Sequence, residues 1–132
     1  MEPTLIADRQ SWKNSPAPSM REEFKVAWTF PPAMAKRMIA GHIPEDMNDR
    51  WFILMEDGWL LFHRSWTGSC IFGLKVDPSP EGVVINEGWV SRKVDEYSSN
   101  DIDQDVELAQ TLVREYFFTP PSAQLSMFVT PD

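Results

Sequence analysis

One dipeptide constrains the fold of this chain more than any other feature of its sequence. Asp57-Gly58 separates two runs of apolar and aromatic residues, Trp51–Glu56 and Trp59–Arg64. A two-residue type I′ turn needs positive φ at both central residues, and Asp-Gly adopts that conformation readily. The sequence therefore predicts a tight β-hairpin, in a register that sets Arg64 directly opposite Trp51.

Short apolar segments on both sides extend this hairpin into a sheet. We expect a turn at residues 65–68, a strand over 69–76 and another over 83–90, with a bulge or tight turn at 86–88. An earlier strand over 24–28 precedes a helix over 33–40. Pro31-Pro32 supplies the start of that helix, and Gly41 its left-handed cap.

The last predicted element is an amphipathic helix. Apolar residues recur there at spacings of three and four, at Val106, Ala109, Leu112, Val113, Tyr116 and Phe117. Asp101, Asp103 and Asp105 lie at its start, where negative charge complements the helix dipole. Pro120-Pro121 ends it, and we expect residues 122–132 to add an edge strand.

Together these elements predict an α+β fold. Its centre is an antiparallel β-meander of four or more strands, with the C-terminal helix packed on one face and a short N-terminal helix. Residues 21–132 are expected to form a single α+β domain. Residues 1–20 are expected to be an extended or flexible arm, pinned to the body by Trp12.

Charge and composition exclude several classes of function. The chain has 132 residues, with 20 acidic and 12 basic side chains and a net charge of -8. Such a chain has no general attraction for nucleic acid or anionic membrane. One cysteine excludes an intramolecular disulfide, and two histidines leave few ligands for a transition metal. We expect no metal and no cofactor. The start of the chain lacks a signal-peptide pattern, and the longest apolar run, Trp51–Met55, is far too short to span a bilayer, so we expect a cytoplasmic protein.

The candidate binding residues cluster at the end of the predicted hairpin and in the turn that follows it. Arg64 offers a planar fork for phosphate or carboxylate, and Trp66 offers a face for stacking on a base. Ser65 and Thr67 add hydroxyls at the same turn. Trp89 and Arg92 repeat the pairing of indole and guanidinium near the last strand, and Arg50 is a further candidate cation.

Most of these residues also have a structural interpretation. Arg64 is placed to form an ion pair with a carboxylate such as Asp49, which lies on its diagonal. Ser65 and Thr67 are favourable turn residues in their own right. Trp59, Trp66 and Trp89 fit core or cross-strand packing. Six tryptophans are nevertheless many for so small a core, so we expect at least one to be exposed for binding.

Motifs for catalysis are absent from the sequence. There is no G-x-S-x-G elbow, P-loop, GxGxxG or HExxH pattern. His63 is the candidate general acid or base, because the ordinary pKa of histidine lies near neutrality. Cys70 is expected to be a buried structural thiol. The sequence leaves open whether the protein is an enzyme.

The segment around Arg64–Gly68 resembles a family of small bacterial domains that carry the string RSWTG. The resemblance covers residues 34–117 and includes Ile43-Pro44, Asp49–Phe52 and Glu56–Gly58. Members of the family occur alone or joined to ADP-ribosylglycohydrolase-like domains, and Trp89 and Arg92 fit its later Trp-Arg segment. The family brings no established activity. The resemblance implies only a setting in ADP-ribose, NAD or modified-protein chemistry.

Two functions follow as hypotheses. In the first, the protein binds or processes a phosphorylated, nucleotide-like ligand such as a derivative of ADP-ribose or NAD. Arg64 and Arg92 neutralise phosphate, and Trp66 or Trp89 stacks on the base.

The alternative is a bacterial or phage interaction module, of the immunity or anti-defence type. Here the acidic stretch Asp101–Glu107 and an exposed tryptophan dock on a basic protein partner. The oligomeric state stays open.

Overall fold

The computed structural model describes residues 6–117. Five strands and two helices follow one another along the chain. They are β1 (Arg21–Phe30), α1 (Pro32–Ala40), β2 (Trp51–Glu56), β3 (Trp59–Arg64), β4 (Cys70–Ser79), β5 (Gly82–Ser91) and α2 (Ile102–Phe117).

The five strands form one antiparallel sheet in the order β1-β5-β4-β3-β2. Strands β2 to β5 are a meander, in which each strand pairs with the next along the chain. Strand β1 joins the outer side of β5. With α1 and α2 this arrangement confirms the predicted α+β fold.

The predicted hairpin lies between β2 and β3. Asp57 and Gly58 have φ of 54° and 83°, as a type I′ turn requires. Trp51 pairs with Arg64 in the expected register. On β5, Ile85 and Glu87 pair with two consecutive residues of β4, and Asn86 between them has no partner on either neighbouring strand. The predicted irregularity is therefore a bulge.

The larger apolar core lies between the helices and one face of the sheet. Met34 and Met38 of α1 are fully buried in it. Gly41 ends α1 with φ of 71°, and its N–H donates to the carbonyls of Arg37 and Met38. The buried stripe of α2 joins the same core through Ala109, Leu112, Val113 and Phe117. Both helices thus cover the same face, which we call the helix face.

The opposite face of the sheet carries a second, smaller core. It consists of Ala7, Phe52, Leu54, Leu61, Cys70 and Trp89, with Trp12, Ile43 and Trp59 packed against it. Residues 6–20, which we call the arm, contribute Ala7 and Trp12. We call this side of the sheet the arm face.

The edge strand predicted over residues 122–132 lies outside the described residues. Within residues 6–117, neither helix has the length and apolar character needed to cross a membrane.

Candidate functional site

The turn that follows β3 is held by hydrogen bonds within the turn and to neighbouring segments. The N–H of Gly68 donates to the carbonyl of Arg64 at 2.8 Å, and Gly68 has φ of 83°. The hydroxyl of Ser65 donates to the carbonyl of Asp49 at 2.7 Å, and Ser65 is only 2% exposed. The Thr67 hydroxyl accepts from the N–H of Ser69 at 3.2 Å. Ser65 is therefore a structural hydroxyl, whereas Thr67 lies on the surface.

Arg64 points to the helix face, where two aromatic rings hold its side chain. Its guanidinium carbon lies 5.0 Å from the ring centre of Trp51 and 5.8 Å from that of Tyr97. Such cation–π contacts orient a guanidinium without neutralising its charge.

The predicted ion pair between Arg64 and Asp49 is not formed, so that prediction was wrong. One carboxylate oxygen of Asp49 lies 2.6 Å from Nε2 of His42, and the other accepts from the Tyr116 hydroxyl at 3.0 Å. The His42 and Tyr116 rings also pack together, with centres 4.4 Å apart. Asp49 is thus engaged by residues of the preceding loop and of α2, and no carboxylate within residues 6–117 pairs with Arg64.

Trp66 projects from the turn and is 57% exposed. Its indole N–H donates to the carbonyl of Met47 at 3.0 Å, and the guanidinium of Arg50 lies 5.8 Å from its ring centre. Lys13 of the arm donates to the Trp66 carbonyl at 3.0 Å. One tryptophan is therefore exposed, as expected, and its neighbours are basic.

These groups border a recess of about 200 Å³ lined by Arg50, Arg64, Trp66, Thr67 and Glu96, which we call the Trp66 recess. Among residues 6–117, neither Arg50 nor Arg64 forms an ion pair with a carboxylate. Glu96 is instead paired with Lys93 at 3.3 Å. Among residues 6–117, the recess therefore presents two guanidinium groups that form no ion pair, one exposed indole and the single carboxylate of Glu96.

Trp89 does not reach this recess. Side chains alternate along a strand, and Trp89 belongs to the arm face, where it is 5% exposed. Its indole lies on Gly73 of β4, the residue directly opposite it. The guanidinium of Arg21 covers it at 5.3 Å from the ring centre.

Arg92 is committed to carboxylates and also lies away from the recess. It forms ion pairs with Glu22 at 2.8 Å and with Asp105 at 2.7 Å. Asp105 also accepts from the hydroxyls of Tyr97 at 2.6 Å and Ser99 at 2.7 Å. Burial of Asp105 opposes ionisation, but these hydrogen bonds and the charge of Arg92 outweigh it and lower its pKa. The cluster ties the start of α2 to the sheet.

His63 lies under the arm and has no exposed surface. Its Nδ1 lies 3.3 Å from the carbonyl of Phe52, whereas Nε2 has no hydrogen-bond partner among residues 6–117. Burial lowers the pKa of His63 to about 4, so the ring is neutral at pH 7. In this conformation the candidate acid or base touches no solvent.

Cys70 pairs directly with His63 from β4 and is likewise buried. Burial raises the pKa of its thiol to about 12. The thiol is therefore protonated at neutral pH and packs as an apolar group, as the sequence predicts.

The acidic residues at the start of α2 have separate roles. The Asp101 carboxylate accepts from the N–H groups of Asp103 and Gln104, at 3.1 and 3.3 Å, and so caps the helix. Asp103 is exposed, whereas Asp105 is buried in the cluster with Arg92. Only part of this stretch is therefore available to a partner.

Sequence reasoning did not place Lys13 or Glu96 at the site. Both residues reach it from segments without regular structure, so no strand or helix period points to them. Comparison with protein-family models, with curated proteins and with solved structures finds no match to this chain. The resemblance to the RSWTG family therefore stays a prediction.

Proposed function

We propose that the protein binds a small phosphorylated, nucleotide-like ligand at the Trp66 recess. The observation that carries this proposal is the set of contacts made by the Arg64 guanidinium. Its guanidinium is fixed over Trp51 and Tyr97, faces the recess, and has no carboxylate partner among the described residues.

The chemistry of the recess suits a phosphate. A guanidinium donates two parallel hydrogen bonds to one phosphate group, and a second cation adds charge without needing a fixed geometry. Arg64 supplies the fixed fork, and the exposed Arg50 supplies the second cation. Because the chain carries a net charge of -8, this local basic site stands apart from its surroundings.

The size of the recess implies that only part of a nucleotide-like ligand fits inside it. About 200 Å³ is smaller than the roughly 300–1,000 Å³ of pockets that enclose a whole drug-sized molecule. The recess would hold the charged group, and the remainder would lie along the exposed Trp66 indole, which suits a base or sugar ring. Together with the family resemblance, this favours a derivative of ADP-ribose or NAD.

Calorimetry on the whole chain tests the proposal. We expect heat with ADP-ribose or NAD, and weaker binding of inorganic phosphate. Arg64→Gln should lower the affinity by about tenfold or more, equivalent to the loss of at least about 1.4 kcal/mol of binding free energy. The matched control is Arg114→Gln, which removes the same charge from an exposed position on α2. No heat with any of these ligands, or equal losses in both variants, would overturn the proposal.

The alternative is docking of a basic protein on an acidic, tryptophan-bearing surface. The charges around the exposed tryptophan are mostly of the opposite sign to those that this alternative needs. Three cations, Lys13, Arg50 and Arg64, lie around the exposed Trp66, against one carboxylate, that of Glu96, which is paired with Lys93. Charge reversal at the exposed Asp103 tests this alternative cleanly, because Asp103 makes no ion pair among residues 6–117. Asp103→Lys should leave ligand affinity within about twofold. A protein partner lost on that substitution would favour the alternative.

A further inference from the structure

The arm donates hydrogen bonds to three carbonyls of the turn that borders the Trp66 recess. The indole N–H of Trp12 donates to the carbonyl of Ser65 at 2.7 Å. The ammonium of Lys13 donates to that of Trp66 at 3.0 Å. The backbone N–H of Ser15 donates to that of Gly68 at 2.8 Å. Arm residues 12–15 therefore fix the backbone that carries Trp66.

The arm also seals His63 inside the molecule. Among residues 6–117 the imidazole has one well-formed hydrogen bond, to the carbonyl of Phe52, and its Nε2 has none, although the backbone of Ser15 in the arm lies close enough to favour the protonated ring. The charged groups whose fields reach it are Arg9 of the arm and Glu56 of β2. These two form an ion pair with each other at 2.6 Å, and the neighbouring Cys70 thiol is protonated. No uncompensated carboxylate is therefore at hand to stabilise a positive charge on His63.

We propose that Trp12 is a positioning residue for the Trp66 recess, and that protonation of His63 unseats the arm and so weakens the ligand site. This inference rests on the proposed function only where ligand affinity is concerned. Seating of the arm can be measured without any ligand.

The physical reason lies in the unpartnered nitrogen. A protonated imidazole has two N–H donors, and no acceptor among residues 6–117 forms a well-oriented hydrogen bond with Nε2. The nearby backbone of Ser15 in the arm favours the protonated ring, but it offsets only part of the cost of burial, since the pKa of His63 is still lowered. A buried charge with an unsatisfied donor is costly, and lifting the arm lets water reach it. The low pKa of His63, about 4, is the expected counterpart of that cost. Lifting the arm also removes the three donors that hold residues 65–68.

Hydrogen exchange of the Trp12 indole N–H tests the first step in the free protein. The protection factor of this group should fall by at least about tenfold between pH 7 and pH 4. In His63→Gln, which stays neutral, protection should be retained at pH 4. Equal protection of the wild-type indole at both pH values would overturn the inference.

The second step is tested by affinity for ADP-ribose, whose diphosphate keeps its charge over this range. Trp12→Phe keeps an aromatic ring on the arm face but loses the bond to Ser65, and we expect about tenfold weaker binding at pH 7. The matched control is Trp59→Phe, because Trp59 packs against the same core but lies at the opposite end of β3 from the turn. Equal affinity in the two variants would contradict a positioning role for Trp12.

The two proposals fail in different ways. If the wild type binds no nucleotide but the Trp12 indole still loses protection at pH 4, the ligand proposal is wrong and the response of the arm remains. If ADP-ribose binds and Trp12→Phe binds it equally well, the site stands and the positioning role is wrong. Should His63→Gln fail to fold, the wild-type protection factors and the Trp12→Phe affinity still decide the outcome.

Discussion

Because Asp49 does not pair with Arg64, the charge of Arg64 remains available to a ligand. The diagonal position of Asp49 favours an ion pair across the hairpin, yet its carboxylate binds His42 and Tyr116 instead. Both partners come from outside the hairpin, one from the loop after α1 and one from α2. Cross-strand geometry alone therefore cannot predict the partner of a charged side chain when a helix packs against the same edge.

His63 makes stability depend on pH. Its pKa in the folded protein is about 4, below the ordinary value of 6.5. Between these values the unfolded chain binds a proton that the folded chain does not. The free energy of unfolding should therefore fall as the pH drops from about 6.5 to about 4, by up to about 3 kcal/mol, and this contribution should level off at lower pH.

Urea denaturation at a series of pH values measures this loss. His63→Gln, which does not titrate, should remove this part of the pH dependence and leave the part due to carboxylates. Parallel curves for the wild type and the variant over this range would show that His63 is not the titrating group.

Asp105 is the buried charge on which the start of α2 depends. Asp105→Asn leaves Arg92 facing a neutral group and weakens the bonds from Tyr97 and Ser99. We expect a loss of roughly 3 kcal/mol in unfolding free energy, as for other broken buried ion pairs. Asp103→Asn, an exposed change two residues away, should cost less than about 1 kcal/mol. Similar losses in the two variants by urea denaturation would contradict this role.

At the scale of elements, the burial of β2 and β3 concerns a feature that the sequence analysis did not predict, a second layer on the arm face of the sheet. Residues 51–54 of β2 are all buried, and so are residues 60–63 of β3. A strand with one covered face alternates between apolar and polar residues, whereas a strand covered on both faces does not. The unbroken apolar run at Trp51–Leu54 was therefore a signal that a second layer must cover the sheet. The arm, through Ala7 and Trp12, supplies part of that layer.

The close contact between β4 and β5 rests on Gly73. A side-chain carbon at this position would overlap the indole of Trp89. Gly73→Ala should therefore lower the unfolding free energy by about 1–3 kcal/mol, the usual range for overpacking. Adding Trp89→Leu should make the alanine better tolerated than it is beside Trp89. A double-mutant cycle by thermal or urea denaturation measures this coupling, and additive effects would contradict it.

Local rules predicted the elements well and the site only in part. The turn at Asp57-Gly58, the cap at Gly41 and the stripe of α2 each depend on neighbouring residues, and all three were predicted correctly. The composition of the recess depends on which residues of separate segments meet. Arg50 and Arg64 come together because the hairpin brings the two ends of its strands side by side. Trp89 falls on the other face, which the sequence spacing alone did not establish.

At the scale of the whole molecule, the sheet separates two environments. The helix face contains the large core, and the Trp66 recess opens beside it at the end of β3, where Arg64 packs on Trp51 and Tyr97. The arm face holds the buried His63 and Cys70. The turn at residues 65–68 is bonded to the arm on one side and carries Trp66 on the other. Binding of a ligand at the recess would therefore depend on packing on the helix face and on the contacts of the arm.

The central claim is that Arg64 and Trp66 together bind an anionic, nucleotide-like ligand. Nuclear magnetic resonance of the Trp66 indole N–H and the Arg64 side-chain N–H during a titration with ADP-ribose tests it most directly. The account predicts that both signals shift together and saturate, while the Trp89 indole signal on the arm face stays in place. Signals of Trp66 and Arg64 that remain unmoved at millimolar ADP-ribose and NAD would contradict it.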